Sequence, residues 1–247
     1  MHDPAKWHTA TVTGQKEWDD GLFTMQLDSA PEFVPGQFAT LALEREDEIV
    51  KRAYSIASRP RDPLEFYIQR VENGALTPRL SALKPGDTVL LWHKIAGGFT
   101  LSDDHGSDVL WLIGTGTGMA PYLSMLRSGA PYWNHKRVVV VHGARTAAQL
   151  GYRAEFEQIA KEQAVTYIPA LTREDAPGAL RGRIPDLLSS GALEQAAGAV
   201  AGPHKHHIMI CGNPDMVKGM LELYKLRDMG MKTPKRPDGE IHIEKYW

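Results

Sequence analysis

Cysteine is all but missing: Cys211 is the one thiol among 247 residues. A single thiol rules out an intrachain disulfide and cannot supply the four ligands of a common iron–sulfur cluster. Redox work by this chain therefore needs an organic cofactor or one held by a partner. Long apolar runs are missing too. No segment approaches the length that spans a bilayer, and Met1 to His8 lacks the apolar core of a signal peptide. A cytoplasmic protein with no membrane association is expected. Neither sign of charge prevails, with 28 Lys and Arg against 30 Asp and Glu and a net of −2. That balance argues against wholesale attraction to nucleic acid. Internal repeats and low-complexity stretches are absent as well.

What is present divides the chain in two. Up to about Leu101 the pattern is that of strands. Apolar and polar residues alternate in Phe23 to Asp28 and in Leu64 to Gln69, the period of a half-buried strand. Turn signals stand at Pro35-Gly36, Asn73-Gly74 and Lys84 to Asp87. Short strands so spaced predict an antiparallel barrel or sandwich, residues 1–101. One helical turn is expected after Thr77-Pro78, with Thr77 as N-cap and proline at N1. From Asp108 the period changes. Val109 to Ile113 and Val138 to Val141 are continuous apolar runs, as in strands covered on both faces. Helices are expected over 121–127, 155–163 and 214–229, the last stopped by Gly230. This alternation predicts an α/β doubly wound parallel sheet, residues 102–247.

Several motifs carry chemistry. Gly114, Gly116 and Gly118 follow a strand and precede a helix, a setting for a pyrophosphate or simply for a tight strand–helix turn. Met119 stands where the dinucleotide fingerprint requires its third glycine. After the second strand of this half comes His142-Gly143-Ala144-Arg145, with no carboxylate to grip a ribose 2′-hydroxyl. Arginine there suits a 2′-phosphate, and Thr172-Arg173 and Arg181-Gly182-Arg183 add basic loops, which favours NADP over NAD. Upstream, Arg52-Ala53-Tyr54-Ser55 offers a cation for a diphosphate, a flat ring for a flavin and a hydroxyl. The turn Gly74-Ala75-Leu76-Thr77 adds N–H groups and a second hydroxyl. Finally, Cys211-Gly212-Asn213-Pro214 follows a short apolar run, so the thiol stands at the carboxyl edge of a strand. It is either an inert buried thiol or a neighbour of a nicotinamide. A nucleophilic role is not indicated, since no histidine partner accompanies it. His204 to His207 is read as a polar loop rather than a metal site, because Lys205 repels cations and no acidic ligand is near.

In combination these motifs resemble the ferredoxin–NADP reductase family. Pro35 to Phe38, Arg52 to Ser58, Gly114 to Pro121, Val141 to Arg145, Gly182 to Pro185 and Cys211 to Pro214 carry the resemblance, which spans nearly the whole chain. The ending Glu244-Lys245-Tyr246-Trp247 resembles its bacterial ferredoxin/flavodoxin reductase branch. The resemblance implies an antiparallel FAD-binding barrel followed by an NADP-binding α/β domain. It assigns Arg52, Ala53, Tyr54, Ser55, Tyr67, Ile68, Gln69, Arg70, Ala75, Leu76 and Thr77 to FAD, with Thr117 reaching the flavin from the second domain. Some relatives have lysine and serine where this chain has Ala75 and Thr77, so backbone donors survive and a lysine contact does not. Gly114, Gly116, Gly118, Arg145, Thr172, Arg173, Arg183, Cys211 and Gly212 fall to NADP. Ser55 and Cys211 would align the nicotinamide, Glu244 would relay a proton, and Tyr246 and Trp247 would cover the FAD.

The expected activity is a flavoenzyme that takes a hydride from NADPH and gives single electrons to ferredoxin or flavodoxin. A monomer is expected, and an acidic carrier meeting it by charge. Lys218 to Arg236 suggests the docking patch, six cations against Glu222 and Asp228 for a local net of +4. The alternatives are an NAD(P)H-dependent free-flavin or oxygenase-component reductase, or a flavin-sensing module without turnover.

Overall fold

The computed structural model describes residues 6–19, 21–45, 48–101, 106–233, 236 and 239–245. The chain forms two compact units. One comprises Met1–Ser102 and Ala120–Ser128, the other Asp103–Met119 and Gly129–Trp247.

The first unit is a six-stranded antiparallel sheet with order β4-β3-β6-β1-β2-β5. Its strands are β1 (Trp7–Asp19), β2 (Leu22–Leu27), β3 (Phe38–Arg45), β4 (Glu48–Ser55), β5 (Glu65–Gln69) and β6 (Thr88–Trp92). Alternation sends Met25, Leu27, Leu41, Phe66, Ile68 and Leu91 into one core, joined by Leu80 of helix α1 (Thr77–Ala82) and by Leu76 just before it. In β2 even the polar Thr24 is buried, because Trp18 Nε1 donates to its hydroxyl at 2.8 Å. The two edge strands, β4 and β5, meet at a single bridge, Ile56 to Phe66, which nearly closes the sheet into a barrel. The seam between these edges positions the candidate residues of the barrel unit.

Thr77 does not cap α1. The N-cap is Leu76, with no side-chain cap, and the Thr77 hydroxyl instead accepts from the N–H of Val71 at 2.9 Å. The local bond that closes the turn wins over the capping bond.

Helix α2 (Ala120–Ser128) belongs with the barrel although it follows the glycine-rich loop. Arg127 donates to Glu65 at 2.7 Å and to the Ala57 carbonyl, and Gln26 donates to the other Glu65 oxygen. The Tyr122 and Phe99 rings lie 5.9 Å apart. Gly36, at φ +100°, leaves no room for a β-carbon, which would sit 2.0 Å from the Phe99 carbonyl oxygen and 2.6 Å from Met125 Cε.

The second unit is a parallel sheet of order β10-β9-β8-β7-β11-β12. It contains β7 (Ser107–Thr115), β8 (His135–Ala144), β9 (Val165–Leu171), β10 (Leu180–Arg181), β11 (His206–Cys211) and β12 (Ile241–Glu244). Helices α3 (Pro131–Asn134), α4 (Arg153–Glu162), α5 (Ile184–Ser189), α6 (Ala192–Ala197) and α7 (Pro214–Lys225) lie between them. Trp111, Val139, Ile210, Met220 and Tyr224 form the core on the face covered by α5, α6 and α7.

Two expectations need correction. His206 and His207 are in β11, not in a loop: His207 is buried, and His206 Nδ1 accepts from Trp111 Nε1 at 2.9 Å. The last long helix ends at Lys225, four residues early. Its stop is Asp228 in the left-handed conformation, φ +58°, with Met229 N donating back to Tyr224, so Gly230 is not needed.

Candidate functional site

In the barrel unit, Arg52, Tyr54 and Ser55 stand on β4 and Tyr67 to Gln69 on β5, so the two motifs supply the two edges of the seam. Ser55 is buried, paired in register with Phe38, and the next residue, Ile56, donates to the Gln37 carbonyl. That bond locks the Arg52 motif to Pro35 to Phe38. Strand alternation separates the β5 candidates: Phe66 and Ile68 enter the core, so Ile68 offers a ligand its main chain rather than its side chain. Arg52, Gln69 and Arg70 are exposed. Arg52 spends one donor on the Lys51 carbonyl and keeps the rest of its fork.

The fit of a flavin dinucleotide is tested by Tyr54. Its ring lies 6.5 Å from Phe66, edge to face, while its hydroxyl is buried with no hydrogen-bond partner among the described residues. A buried hydroxyl without a partner is costly, and a polar ligand in the seam removes that cost. Burial pushes the phenol up to about 12, against the charge of Arg52, so it hydrogen-bonds without ionising. The Thr77 hydroxyl accepts from Val71, which leaves its proton to donate. These residues suit a diphosphate joined to an aromatic ring.

In the parallel-sheet unit the loops gather at the carboxyl edge, where open α/β sheets bind ligands. The strand order makes β10, β9 and β8 neighbours, so their loops are adjacent. Arg173 N donates to Arg145 O, Thr172 N to Ala144 O, and Gly182 N to Leu171 O. These main-chain bonds set Arg145, Arg173 and Arg183 along one rim. All three are exposed and none forms an ion pair with a described residue. A row of uncompensated guanidinium groups is a site for a doubly charged anion.

The glycine loop is gripped by the loop after β11. A β-carbon on Gly118 would lie 2.6 Å from Cys211 O, and one on Gly212, at φ +128°, would lie 2.3 Å from Thr115 Oγ1. That hydroxyl accepts from Asn213 N at 2.8 Å, and Asn213 in turn caps α7. Thr115 and Asn213 were not among the expected site residues. Asn before Pro at a helix start was a readable signal for Asn213. Cys211 is wholly buried and pairs in register with Glu244, its Sγ 4.0 Å from a carboxylate oxygen. Gly114 pairs with Cys211 on the other side, so the glycine loop, the thiol and the carboxylate share one edge. Thr117 lies half-buried in the 3₁₀ turn Gly116–Met119.

His142, inside the Val141 to Arg145 motif, is fixed for packing. Burial first, then the charge of Arg153, pushes its imidazole down to about 3, and Tyr167 Oη lies 3.1 Å from its Nδ1. The expected docking patch is weaker than its composition suggests. Arg227 forms a two-pronged bond with the buried Glu194, and Arg236 lies 3.6 Å from Glu240. Both cations are neutralised by acids outside the count, so the segment carries less unpaired positive charge than +4. Tyr246 and Trp247 lie outside the described residues, as does Lys235.

Comparison with known proteins gives the same two halves. Residues 12–92 match the oxidoreductase FAD-binding domain, and residues 112–222 match the oxidoreductase NAD-binding domain. A flavodoxin/ferredoxin–NADP reductase of Escherichia coli K12 is 40% identical over 98% of this chain and 100% of its own. A ferredoxin–NADP reductase of Azotobacter vinelandii is 34% identical over 95% of both chains. A ferredoxin NADP+ reductase crystal structure from Neisseria gonorrhoeae, with bound FAD and NADP, superposes with a TM-score of 0.93. It shares 26% identity and covers 98% of this chain and 99% of that one.

Proposed function

We propose that this chain, which belongs to the flavodoxin/ferredoxin–NADP reductase family, carries electrons between NADPH and a small one-electron protein, ferredoxin or flavodoxin. A bound FAD would supply the chemistry, a hydride acceptor that can also give up electrons singly. The chain supplies position and charge. Arg52 and the turn Gly74 to Thr77 bind the diphosphate, and Tyr54 and Tyr67 border the ring system. Residues 1–101, joined by α2, form the FAD-binding half and the rest of residues 102–247 the NADP-binding half. Arg145, Thr172, Arg173 and Arg183 bind the 2′-phosphate and its ribose. Cys211 and Glu244 stand at the nicotinamide end of the NADP-binding half, and Ser55 is a nicotinamide-aligning hydroxyl on the barrel. The buried thiol excludes water, and Glu244 is the group able to hold a proton. The enzyme is read as a cytoplasmic monomer, and no helix among the described residues is long and apolar enough to cross a membrane.

The observation that carries this reading is the rim of Arg145, Arg173 and Arg183, exposed and without ion pairs among the described residues at the ends of adjacent strands. It favours a 2′-phosphorylated dinucleotide over NADH, and so a reductase of this kind over an NADH-dependent free-flavin reductase. Two measurements on purified protein test it. Cofactor released by acid should chromatograph as FAD, and steady-state reduction should prefer NADPH to NADH. FMN alone, or equal use of both nucleotides, contradicts the reading.

A further inference from the structure

Arg79 has no part in any assignment made so far. It lies on α1, two residues after Thr77, and its guanidinium is held at one corner only. Nη2 donates to the main-chain carbonyl of Glu44 at 2.6 Å. Nη1 is buried and has no hydrogen-bond partner among the described residues, and no described carboxylate forms an ion pair with Arg79. A guanidinium keeps its charge at every working pH. Arg79 as a whole is half-buried, so its charge is partly solvated, but a buried N–H without an acceptor still costs the folded protein free energy. No acceptor for Nη1 stands among the described residues, and an anion from outside the chain would supply one.

The position narrows its identity. Arg79 follows directly on the turn Gly74 to Thr77. Its anchor, Glu44, pairs with Ile49 on β4, and three residues further along β3 Leu41 pairs with Arg52. At about 3.3 Å per residue the two anchoring points are roughly 10 Å apart, within reach of two extended arginine side chains. Leu76, Leu80 of α1, and Val50 and Tyr54 of β4 pack against one barrel core. The two arginines therefore flank the same part of the barrel unit.

We infer that Arg79 is a third phosphate ligand of the FAD site, its Nη1 donating to a diphosphate oxygen while Nη2 stays on Glu44. The inference rests on the reading of the barrel as the FAD-binding half. Arg79 is then a positioning strut and a ligand at once: the Glu44 carbonyl fixes the plane of the fork, and the second corner takes the anion.

The test uses the full chain stripped of flavin and titrated with FAD, with bound fraction read from flavin fluorescence. Arg79→Met and Arg79→Lys are compared with wild type, and apoprotein melting temperature is recorded for each. A charge-assisted hydrogen bond of this kind corresponds to a loss of roughly tenfold or more in FAD affinity for Arg79→Met. Arg79→Lys, which keeps the charge but not the fork, should fall between. Apoprotein melting should be unchanged or slightly raised in Arg79→Met, because a buried N–H without an acceptor has been removed. An unchanged FAD dissociation constant with a lowered apoprotein melting temperature makes Arg79 a purely structural strut and overturns the inference. Wild-type protein that takes up no FAD overturns the functional reading itself, and this inference with it.

Discussion

Single residues divide here into those that meet solvent unpaired and those that are buried neutral. Arg145, Arg173 and Arg183 are of the first kind. Replacing any one with alanine should raise the KM for NADPH by roughly tenfold, the worth of one charge-assisted bond, and leave NADH kinetics nearly unchanged. Equal losses with both nucleotides would assign that arginine to folding. His142 is of the second kind. Its folded imidazole is held down to about 3 by burial, then by Arg153, against 6.5 in the unfolded chain. Because the unfolded chain binds the proton and the folded chain does not, its contribution is complete above about pH 6.5. It is lost progressively as pH falls toward about 3. Burial also pushes His242 down, to about 4, and adds loss in the same direction. The sign is acid destabilisation, at up to about 1.4 kcal/mol per pH unit for each group. Urea unfolding from pH 7.5 to 5 should show this slope, and His142→Asn should flatten it. A wild-type stability that holds constant over that range would contradict the burial assigned to these rings.

At the scale of elements, two ion pairs fasten helices in place. Arg127 ties α2 to the barrel through Glu65, with side chains 21% and 11% exposed. Arg227 ties the end of α7 to Glu194, at 30% and 9%. Removing one member of such a pair leaves a buried charge and costs about 3–5 kcal/mol. Arg127→Met and Arg227→Met should therefore lower unfolding midpoints strongly, whereas Lys218→Met and Lys225→Met, on exposed positions, should not. A small change on replacing Arg227 would return it to the docking patch. These pairs also mark where reading the sequence stops. The strands of both halves were legible because alternating and continuous apolar runs declare how many faces are covered. The rim of arginines was legible because a strand end fixes where the next loop begins. The partners of Arg127 and Arg227 lie 62 and 33 residues away, and no local pattern encodes a contact at that distance. Thr77 misled for a related reason: a hydroxyl ahead of Pro78 fits a cap, yet Val71 N competes for it and wins. At β11, the polar run from His204 hid a strand that Trp111 holds by its indole N–H.

For the whole molecule, encounter with an acidic carrier should weaken with salt, since exposed charges are screened within about 10 Å at 0.1 M. With Arg227 and Arg236 already neutralised, the dependence carried by Lys218 to Arg236 should be weaker than a local net of +4 would give. Charge removal at Lys218 and Lys225 should slow carrier reduction at low salt and leave NADPH oxidation by an uncharged acceptor unaltered. Carrier reduction insensitive to ionic strength would remove this segment from the docking surface. The central claim concerns the route of electrons, and one anaerobic mixing experiment follows it from end to end. Protein with its bound flavin is mixed with NADPH and the flavin absorbance is recorded, oxidised flavodoxin or ferredoxin is added, and NADH is then run in place of NADPH. NADPH should bleach the flavin rapidly, the absorbance should return as the carrier is reduced, and bleaching by NADH should be markedly slower. A flavin that NADPH does not bleach, or one that bleaches but passes nothing to either carrier, would contradict that claim.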